Sequence, residues 1–279
     1  MILRDYLPSP HLHEYVRKHQ IIKFEFGAGG IIPCKVYCPR PETCLVFRLR
    51  NAQKVSYPSN PEILTHPNCT IIGQHTVVTN RYTGSDFWIL QIVLQPSALF
   101  RLTGIPAYEI TNTFIDAEAI WGKEIRLIHE QMCNTEGIEE LIQIIEAFLE
   151  KVIFRSKYSL QGIDKVSFVI LNQNRALSMD QLASDACLSN RQFQRRFTER
   201  TGIGPKLFDK VVRFEKAFFM KNAYPHLDWL SIALACGYYD YQHLVKDYKY
   251  FTNMTPTGFY ELDTKAPERT FGVVELQQV

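Results

Sequence analysis

The sequence has no apolar run of about 18 residues, the minimum for a membrane-spanning helix, so no membrane partner is expected. It carries little net charge. Its 31 Lys and Arg against 29 Asp and Glu leave +2, a balance that by itself neither implies nor excludes a nucleic-acid partner. It lacks the GxSxG, P-loop and HExxH patterns of acyl transfer, phosphate binding and zinc proteolysis. No CxxC pair occurs, as many structural zinc sites would require. The opening residues, Met1-Ile2-Leu3-Arg4-Asp5-Tyr6, hold no basic region followed by an apolar stretch, so no export signal is expected. The seven cysteines are odd in number, which suits a reduced, cytoplasmic chain.

What is present is an ordinary globular composition: 279 residues, 46% hydrophobic and 22% charged, which excludes disorder and collagen-like structure. Cys34, Cys38 and Cys44 lie close together and read either as a metal cluster or as thiols in strands. Their spacing is not that of a structural zinc site, and no metal is expected. His11-Leu12-His13-Glu14 looks like a metal-ligand fragment, but His66 and His75 supply no spaced partners. The paired Glu139-Glu140 falls on a helix surface. No catalytic residue and no cofactor is expected, and an enzyme fits poorly.

The first half reads as β-rich. Segments 23–26, 34–38, 43–49, 70–73 and 87–94 are short and rich in β-branched and aromatic residues. Turn clusters such as Gly27-Ala28-Gly29-Gly30 and Tyr57-Pro58-Ser59-Asn60-Pro61 separate them, which suggests a barrel or a sandwich. After Pro96 the pattern turns helical. Ser97 is a candidate cap for a short helix, 98–102, stopped by Gly104 and Pro106. A second helix is expected over about 117–133. In a third, residues 138, 141, 145, 148 and 152 form one apolar stripe, with Glu140, Glu146, Glu150 and Lys151 off it. That stripe serves either packing within the domain or a short contact between two copies. Ser156-Lys157-Tyr158-Ser159 with Gly162 reads as a linker, which divides the chain into residues 1–158, 159–262 and a tail, 263–279.

The C-terminal part contains a repeat. Residues from Ser178 to Phe197 and from Asp228 to Tyr248 follow one pattern, with Ala183 matching Ala233, Phe193 matching Leu244, Phe197 matching Tyr248 and Pro205 matching Pro256. In each copy a capping residue, Ser178 or Asp228, opens a short helix whose alanine admits a close neighbour. A tight turn follows, and then Asn190 or Asp240 caps a longer helix with apolar residues four apart. That is helix-turn-helix, in which the second helix enters the major groove. Between the copies, Leu207, Val211, Phe214, Ala217 and Phe218 make the stripe of a connecting helix. Lys206, Lys210, Arg213, Lys216 and Lys221 surround it.

Residues 160–261 resemble the DNA-binding domain of AraC-family transcriptional regulators. The resemblance is carried by Leu182-Ala183, Leu188-Ser189, Phe193-Gln194-Arg195-Arg196-Phe197, Thr201-Gly202, Ala233, Gly237-Tyr238 and Thr255-Pro256-Thr257-Gly258-Phe259-Tyr260. The N-terminal part is similar, more weakly, to the regulatory domain of that family at Gly73-Gln74 and 95–104. The resemblance implies an α+β chain of two domains: an N-terminal cupin-like β-barrel with helices, and an all-α C-terminal domain with two helix-turn-helix motifs. It implies double-stranded DNA as partner, with a small-molecule effector, a homodimer and RNA polymerase as further partners.

On DNA, Arg191, Gln194 and Arg195 share the face opposite Phe193 and Phe197 and are assigned to base edges. These positions match the base-reading positions of the family. Arg196 and Arg200 are assigned to phosphate or solvent. In the second copy Tyr241, Gln242, Val245 and Lys246 face outward, with adenine, a thymine methyl and guanine or phosphate as partners for the last three. His243 is a surface or packed residue as readily as a contact, and Asp240 a cap. Two departures from the family pattern stand out. Cys187 occupies a turn position where glycine is usual, so it must tolerate or avoid positive φ, and Tyr248 replaces phenylalanine. Residues 160–262 carry a net +3 and the remainder −1, so specificity rests on placed contacts more than on bulk charge. The alternatives are a metal-dependent β-barrel enzyme fused to a DNA-binding domain, and a regulator without ligand, controlled by protein contacts or its own abundance.

Overall fold

The computed structural model describes residues 1–27, 32–58, 60–172 and 178–275. Part of two expected turns, residues 28–30 and Ser59, lies outside the described residues, as does the end of the tail, 276–279.

The N-terminal part is built from β1 (Ile2–Tyr6), β2 (Val16–Glu25), β3 (Lys35–Tyr37), β4 (Cys44–Arg48), β5 (Lys54–Tyr57), β6 (Asn60–Thr65), β7 (Cys69–Ile72), β8 (Thr79–Tyr82), β9 (Asp86–Leu94) and β10 (Phe114–Asp116). The order β1-β2-β9-β4-β7-β10 makes a six-stranded sheet, and β3-β8-β5-β6 a four-stranded one. All their pairings are antiparallel. Among the described residues no ladder joins the two sheets, so the barrel of the sequence reading is present only as a sheet-rich domain. The strongest expected strand, 87–94, is apolar on both sides because both of its faces are covered. Trp88, Leu90, Ile92 and Leu94 enter one buried cluster, and Phe87, Ile89 and Val93 another.

Helices close the first of these faces: α1 (Ala98–Thr103), α2 (Glu118–Cys133) and α3 (Ile138–Arg155). The stripe of α3, Leu141, Ile145, Phe148 and Val152, is buried against Leu45, Phe47, Ile71 and Leu90, so it is used within its own domain. Three details differ from the sequence reading. Ser97 precedes α1 with φ 71° and makes no side-chain cap bond. Gly122 interrupts α2 with φ 58°. Glu146, expected on the solvent side, is buried because the N-terminal segment folds over it: Ser9 N and Ser9 Oγ donate to its carboxylate at 2.8 and 2.6 Å.

The C-terminal part is helical: α4 (Gly162–Asn172), α5 (Met179–Asp185), α6 (Asn190–Thr201), α7 (Pro205–Ala223), α8 (Trp229–Ala235), α9 (Tyr241–Thr252) and α10 (Pro256–Asp263). Phe193, Phe197, Phe208, Phe214, Phe218, Tyr248 and Phe259 all enter one core, each aromatic contributing roughly 2–3 kcal/mol by burial. Cys38 belongs to that same core, and Val36 packs against it, so the four-stranded sheet and the helical part share buried surface.

Candidate nucleic-acid interface

The two helical hairpins have one geometry. In the first, Leu188 N donates to Ala183 O at 2.9 Å; in the second, Tyr238 N donates to Ala233 O at 3.0 Å. The turn residue is left-handed in both, Cys187 at φ 55° and Gly237 at φ 80°. Cys187 therefore adopts the glycine conformation, exposed and with the steric cost of its Cβ. Ala183 and Ala233 are buried where the paired helices meet. The exits also correspond. Gly202 and Asn253 end α6 and α9 at positive φ, and Pro205 and Pro256 open the next helices, where a missing N–H costs nothing.

The caps are only partly those expected. Asp240 Oδ1 accepts from His243 N at 2.7 Å, and Asp228 Oδ1 accepts from Leu230 N and Ser231 N, each at 2.9 Å. At the head of α6 the cap is Ser189, one residue before Asn190. Its N donates to Gln192 Oε1 at 3.1 Å and its hydroxyl accepts from Gln192 N, a capping box. Asn190 instead donates to Asp180 Oδ1 and ties α6 to α5. Ser178 stands at the start of α5 without a side-chain cap bond.

Arg191, Gln194, Arg195 and Arg196 are all exposed on α6, with Phe193 and Phe197 beneath them in the core. On α9, Gln242 and Lys246 are exposed, Tyr241 and Val245 half-buried, and His243 lies at the surface. The helix α7 spans from the end of the first hairpin to the second and fixes their separation. Its cations are mostly engaged. Lys210 pairs with Asp247 at 3.0 Å, Arg213 with Asp209 at 3.2 Å, and Lys221 donates to Pro225 O and Leu227 O.

Arg200 does not face DNA or solvent. It is 6% exposed, pairs with the fully buried Asp164 at 3.4 Å, donates to Gln161 Oε1 at 3.2 Å and lies 4.2 Å above the Phe100 ring. The reason is its position in the last turn of α6, which docks on α1 and the single helical turn Ala107–Ile110. There Thr111 Oγ1 donates to Gly202 O at 2.9 Å, and a Cβ on Gly202 would stand 2.8 Å from Thr111 Oγ1.

The cysteine and histidine groups resolve into separate packing roles. Cys38 and Cys44 are buried thiols and Cys34 is half-buried; all are free. His11 lies 2.7 Å from Glu150, His13 reaches Pro8 O, and Glu14 pairs with Arg101. Among the described residues no three His, Cys, Asp or Glu side chains gather as a metal site would require. The sequence reading missed the charged side chains where the two parts meet, Lys35, Arg40 and Glu215, and the buried Arg81 over the Tyr37 ring. The one available signal was a lysine inside the apolar strand Cys34–Cys38, and its acidic partners lie more than 200 residues away.

Two helix-turn-helix hairpins with exposed second helices on one connecting helix define a DNA-binding protein. Residues 182–261 match the model described as "Helix-turn-helix domain", and residues 4–116 that of "Domain of unknown function (DUF6597)". Residues 182–261 are thus a helix-turn-helix domain, similar in the residues quoted above to the DNA-binding domain of AraC-family regulators. No curated protein matches the chain by sequence. Among solved structures it is similar to ToxT from Vibrio cholerae bound to an unsaturated fatty acid, at 9% identity and a TM-score of 0.48, covering 92% of this chain and 96% of that one. It is also similar to the DNA-binding domain of AdpA in complex with a target DNA, at 19% identity and a TM-score of 0.34, covering 38% of this chain and 95% of that one. The AraC-like activator CuxR gives 11% identity, a TM-score of 0.31 and coverage of 77% and 80%. Among the described residues no helix is long and apolar enough to cross a membrane.

Proposed function

We propose that this chain is a DNA-binding transcription regulator of the AraC type, and that it lays α6 and α9 into two successive major-groove segments on one face of double-stranded DNA. Arg191, Gln194 and Arg195 read base edges in the first, and Gln242, Val245 and Lys246 in the second. Arg196 and Tyr241 flank them toward the backbone. The observation that carries this reading is the shared exposure of Arg191, Gln194 and Arg195 over the buried Phe193 and Phe197. The division into a regulatory part, 1–158, a reading part, 159–262, and a tail belongs to the same proposal. The N-terminal part is taken as an open cupin-like arrangement that binds a small-molecule effector, as ToxT is seen with a fatty acid. The protein acts in the cytoplasm, as a homodimer, meets RNA polymerase at its promoters and catalyses no reaction. Leu127 and Phe154, exposed on α2 and α3, support a contact between copies.

Selection of binding sites from random duplex DNA by the full chain tests the reading. The expected result is a bipartite site whose two boxes lie about 10 base pairs apart, one helical turn. A selected pool with no preference over the starting pool would overturn it.

A further inference from the structure

Between the two sheets of the N-terminal part lies a cavity of about 60 Å³, room for a few waters or for one ion of roughly four or five heavy atoms. The six-stranded sheet gives it an apolar wall, with Ile22 and Phe24 of β2 and Phe87 and Ile89 of β9. The four-stranded sheet gives it a charged one. Lys35 and Arg81 stand directly opposite one another in the β3–β8 ladder, so both side chains leave the sheet on the same face. Thr83 lines the cavity two residues beyond Arg81. Like charges in that relation repel, and each needs an anion of its own.

Lys35 has its anions, and they come from the far end of the chain. Asp263 lies 3.2 Å away, Glu275 lies 3.5 Å away and Glu268 is in direct contact. Burial opposes the lysine's charge, but these three carboxylates outweigh it and raise its pKa. Glu275 meets Lys35 through Oε2 and accepts from Arg40 Nη1 at its other oxygen, at 2.7 Å. Glu268 meets Lys35 through Oε1, and its Oε2 has no partner among the described residues. Glu268 lines the cavity, so at this end the cavity offers an acceptor.

The opposite end offers only donors. Arg81 is 9% exposed, and its guanidinium makes no hydrogen bond or ion pair among the described residues. It lies 3.5 Å above the Tyr37 ring, which covers one face of the group and leaves its N–H edge for a ligand. Thr83 Oγ1 is buried without a partner as well. Gln53 gives its carbonyl oxygen to Arg48 Nη2 at 3.2 Å and also lines the cavity, so its amide nitrogen is the end left to donate. Arg48 is itself 1% exposed, and its partners Pro67 O, Thr70 and Gln53 are neutral, with no carboxylate among the described residues. Two buried guanidinia without counter-charge are costly, and an anion seated beside them offsets that cost.

We propose that this cavity is a site for inorganic phosphate, and that Glu268 makes it reject sulfate. The edge of Arg81, Thr83 Oγ1 and the Gln53 amide donate to phosphate oxygens, the guanidinium in the forked geometry that suits an oxyanion. The remaining P–O–H of hydrogen phosphate donates to Glu268 Oε2. Sulfate has the same size and charge but no proton, so an oxygen of sulfate meets that carboxylate as a like charge. The two negative charges of the ion answer the two guanidinia, Arg81 and Arg48. The volume admits the free ion and excludes a phosphate ester with a sugar or alkyl group. This rests on the reading of the N-terminal part as the effector domain, and it adds the effector's chemistry. Glu268 follows α10 of the helical part, so an ion held between it and Arg81 ties the two parts of the chain together.

Isothermal titration of the full chain with inorganic phosphate, sulfate and chloride, in a buffer free of the first two, tests the proposal. Phosphate is expected to bind, with sulfate at least tenfold weaker and chloride weaker still. Arg81→Gln is expected to weaken phosphate at least tenfold. Glu268→Gln removes the like charge that faces sulfate, and is expected to bring the two oxyanions within a few-fold of one another. Hydrogen exchange supplies a second readout that needs no variant. The amides of Arg269 and Val273, which donate to Ala266 O and Glu268 O, are expected to exchange more slowly with phosphate present and not with sulfate at equal concentration. Equal binding of phosphate and sulfate by the unaltered chain, or unchanged exchange, would each overturn it. So would full phosphate affinity in R81Q, which would move the ion to another site such as the exposed arginines of α6. Site selection on DNA with the same preparation separates the two readings. Failure of phosphate with a bipartite site retained removes only the ion site, whereas loss of any selected site removes the regulator reading beneath it.

Discussion

Two arginines five residues apart on α6 have opposite fates. Arg195 is exposed and free to meet a base edge, where a bidentate contact to guanine contributes about 1–3 kcal/mol. Arg195→Ala is expected to lose that much affinity and to relax specificity at one base, measured by fluorescence anisotropy on a selected site and its single-base variants. Arg200 is buried on Asp164, and its removal leaves an uncompensated carboxylate that is 0% exposed. Arg200→Ala is expected to cost about 3–5 kcal/mol of stability in urea denaturation. The salt dependence of DNA binding should stay unchanged in whatever fraction folds, and a shallower salt slope would return Arg200 to the phosphate contacts assigned from sequence. In the sequence the two residues look alike. One sits over the core stripe's far side in mid-helix, and the other in the last turn, where the N-terminal part docks.

The helical hairpins were legible because their pattern is local. Four-residue apolar spacing and the caps Asp228 and Asp240 act within a few turns of chain, and α6, α8 and α9 follow them, while the caps expected at Ser178 and Asn190 did not form. The expected strand segments fall on β3, β4, β7, β9 and the end of β2, while β1, β5, β6, β8 and β10 were not legible, being richer in polar residues. Their strand character comes from partners, as with Lys35 and Arg81 across β3 and β8. The first turn gives a prediction at this scale. Cys187 holds a left-handed conformation that costs an ordinary residue about 1 kcal/mol. Cys187→Gly is therefore expected to raise the thermal midpoint, by up to about 1 kcal/mol of stability after the unfolded-state entropy of glycine is allowed for. A lowered midpoint would mean that the thiol makes a stabilising contact.

For the whole molecule, pH is the lever that reaches both parts. Burial foremost, then the nearby cations, holds His66 down to about 2, and burial with Arg81 holds His75 down to about 4. In the unfolded chain both titrate near 6.5. Between pH 6.5 and 4 the unfolded state thus binds more protons, so stability falls as the solution is acidified, by up to about 1.4 kcal/mol per pH unit for each histidine. Urea midpoints are expected to drop from pH 7 to 5, and His75→Gln to flatten the slope. An unchanged slope in that variant would show that His75 titrates normally. Glu275 acts lower on the scale. Burial works against its charge, but Arg40 and Lys35 outweigh that and depress its pKa. The stability it gives is complete above the ordinary glutamate range and is lost as pH falls through its folded value, which loosens the tail only in acid.

The sequence alone determined the change from strand-rich to helical structure along the chain, the duplicated hairpin and the outward faces of α6 and α9, because helix periodicity is decided by neighbours in the chain. Only the tertiary structure decided that Arg200 is a fastening, that the stripe of α3 covers its own sheet, and that the last residues close over Lys35. Those outcomes depend on which surfaces meet between segments many turns apart in the chain, and on where a buried charge finds its counter-charge. No local pattern encodes that.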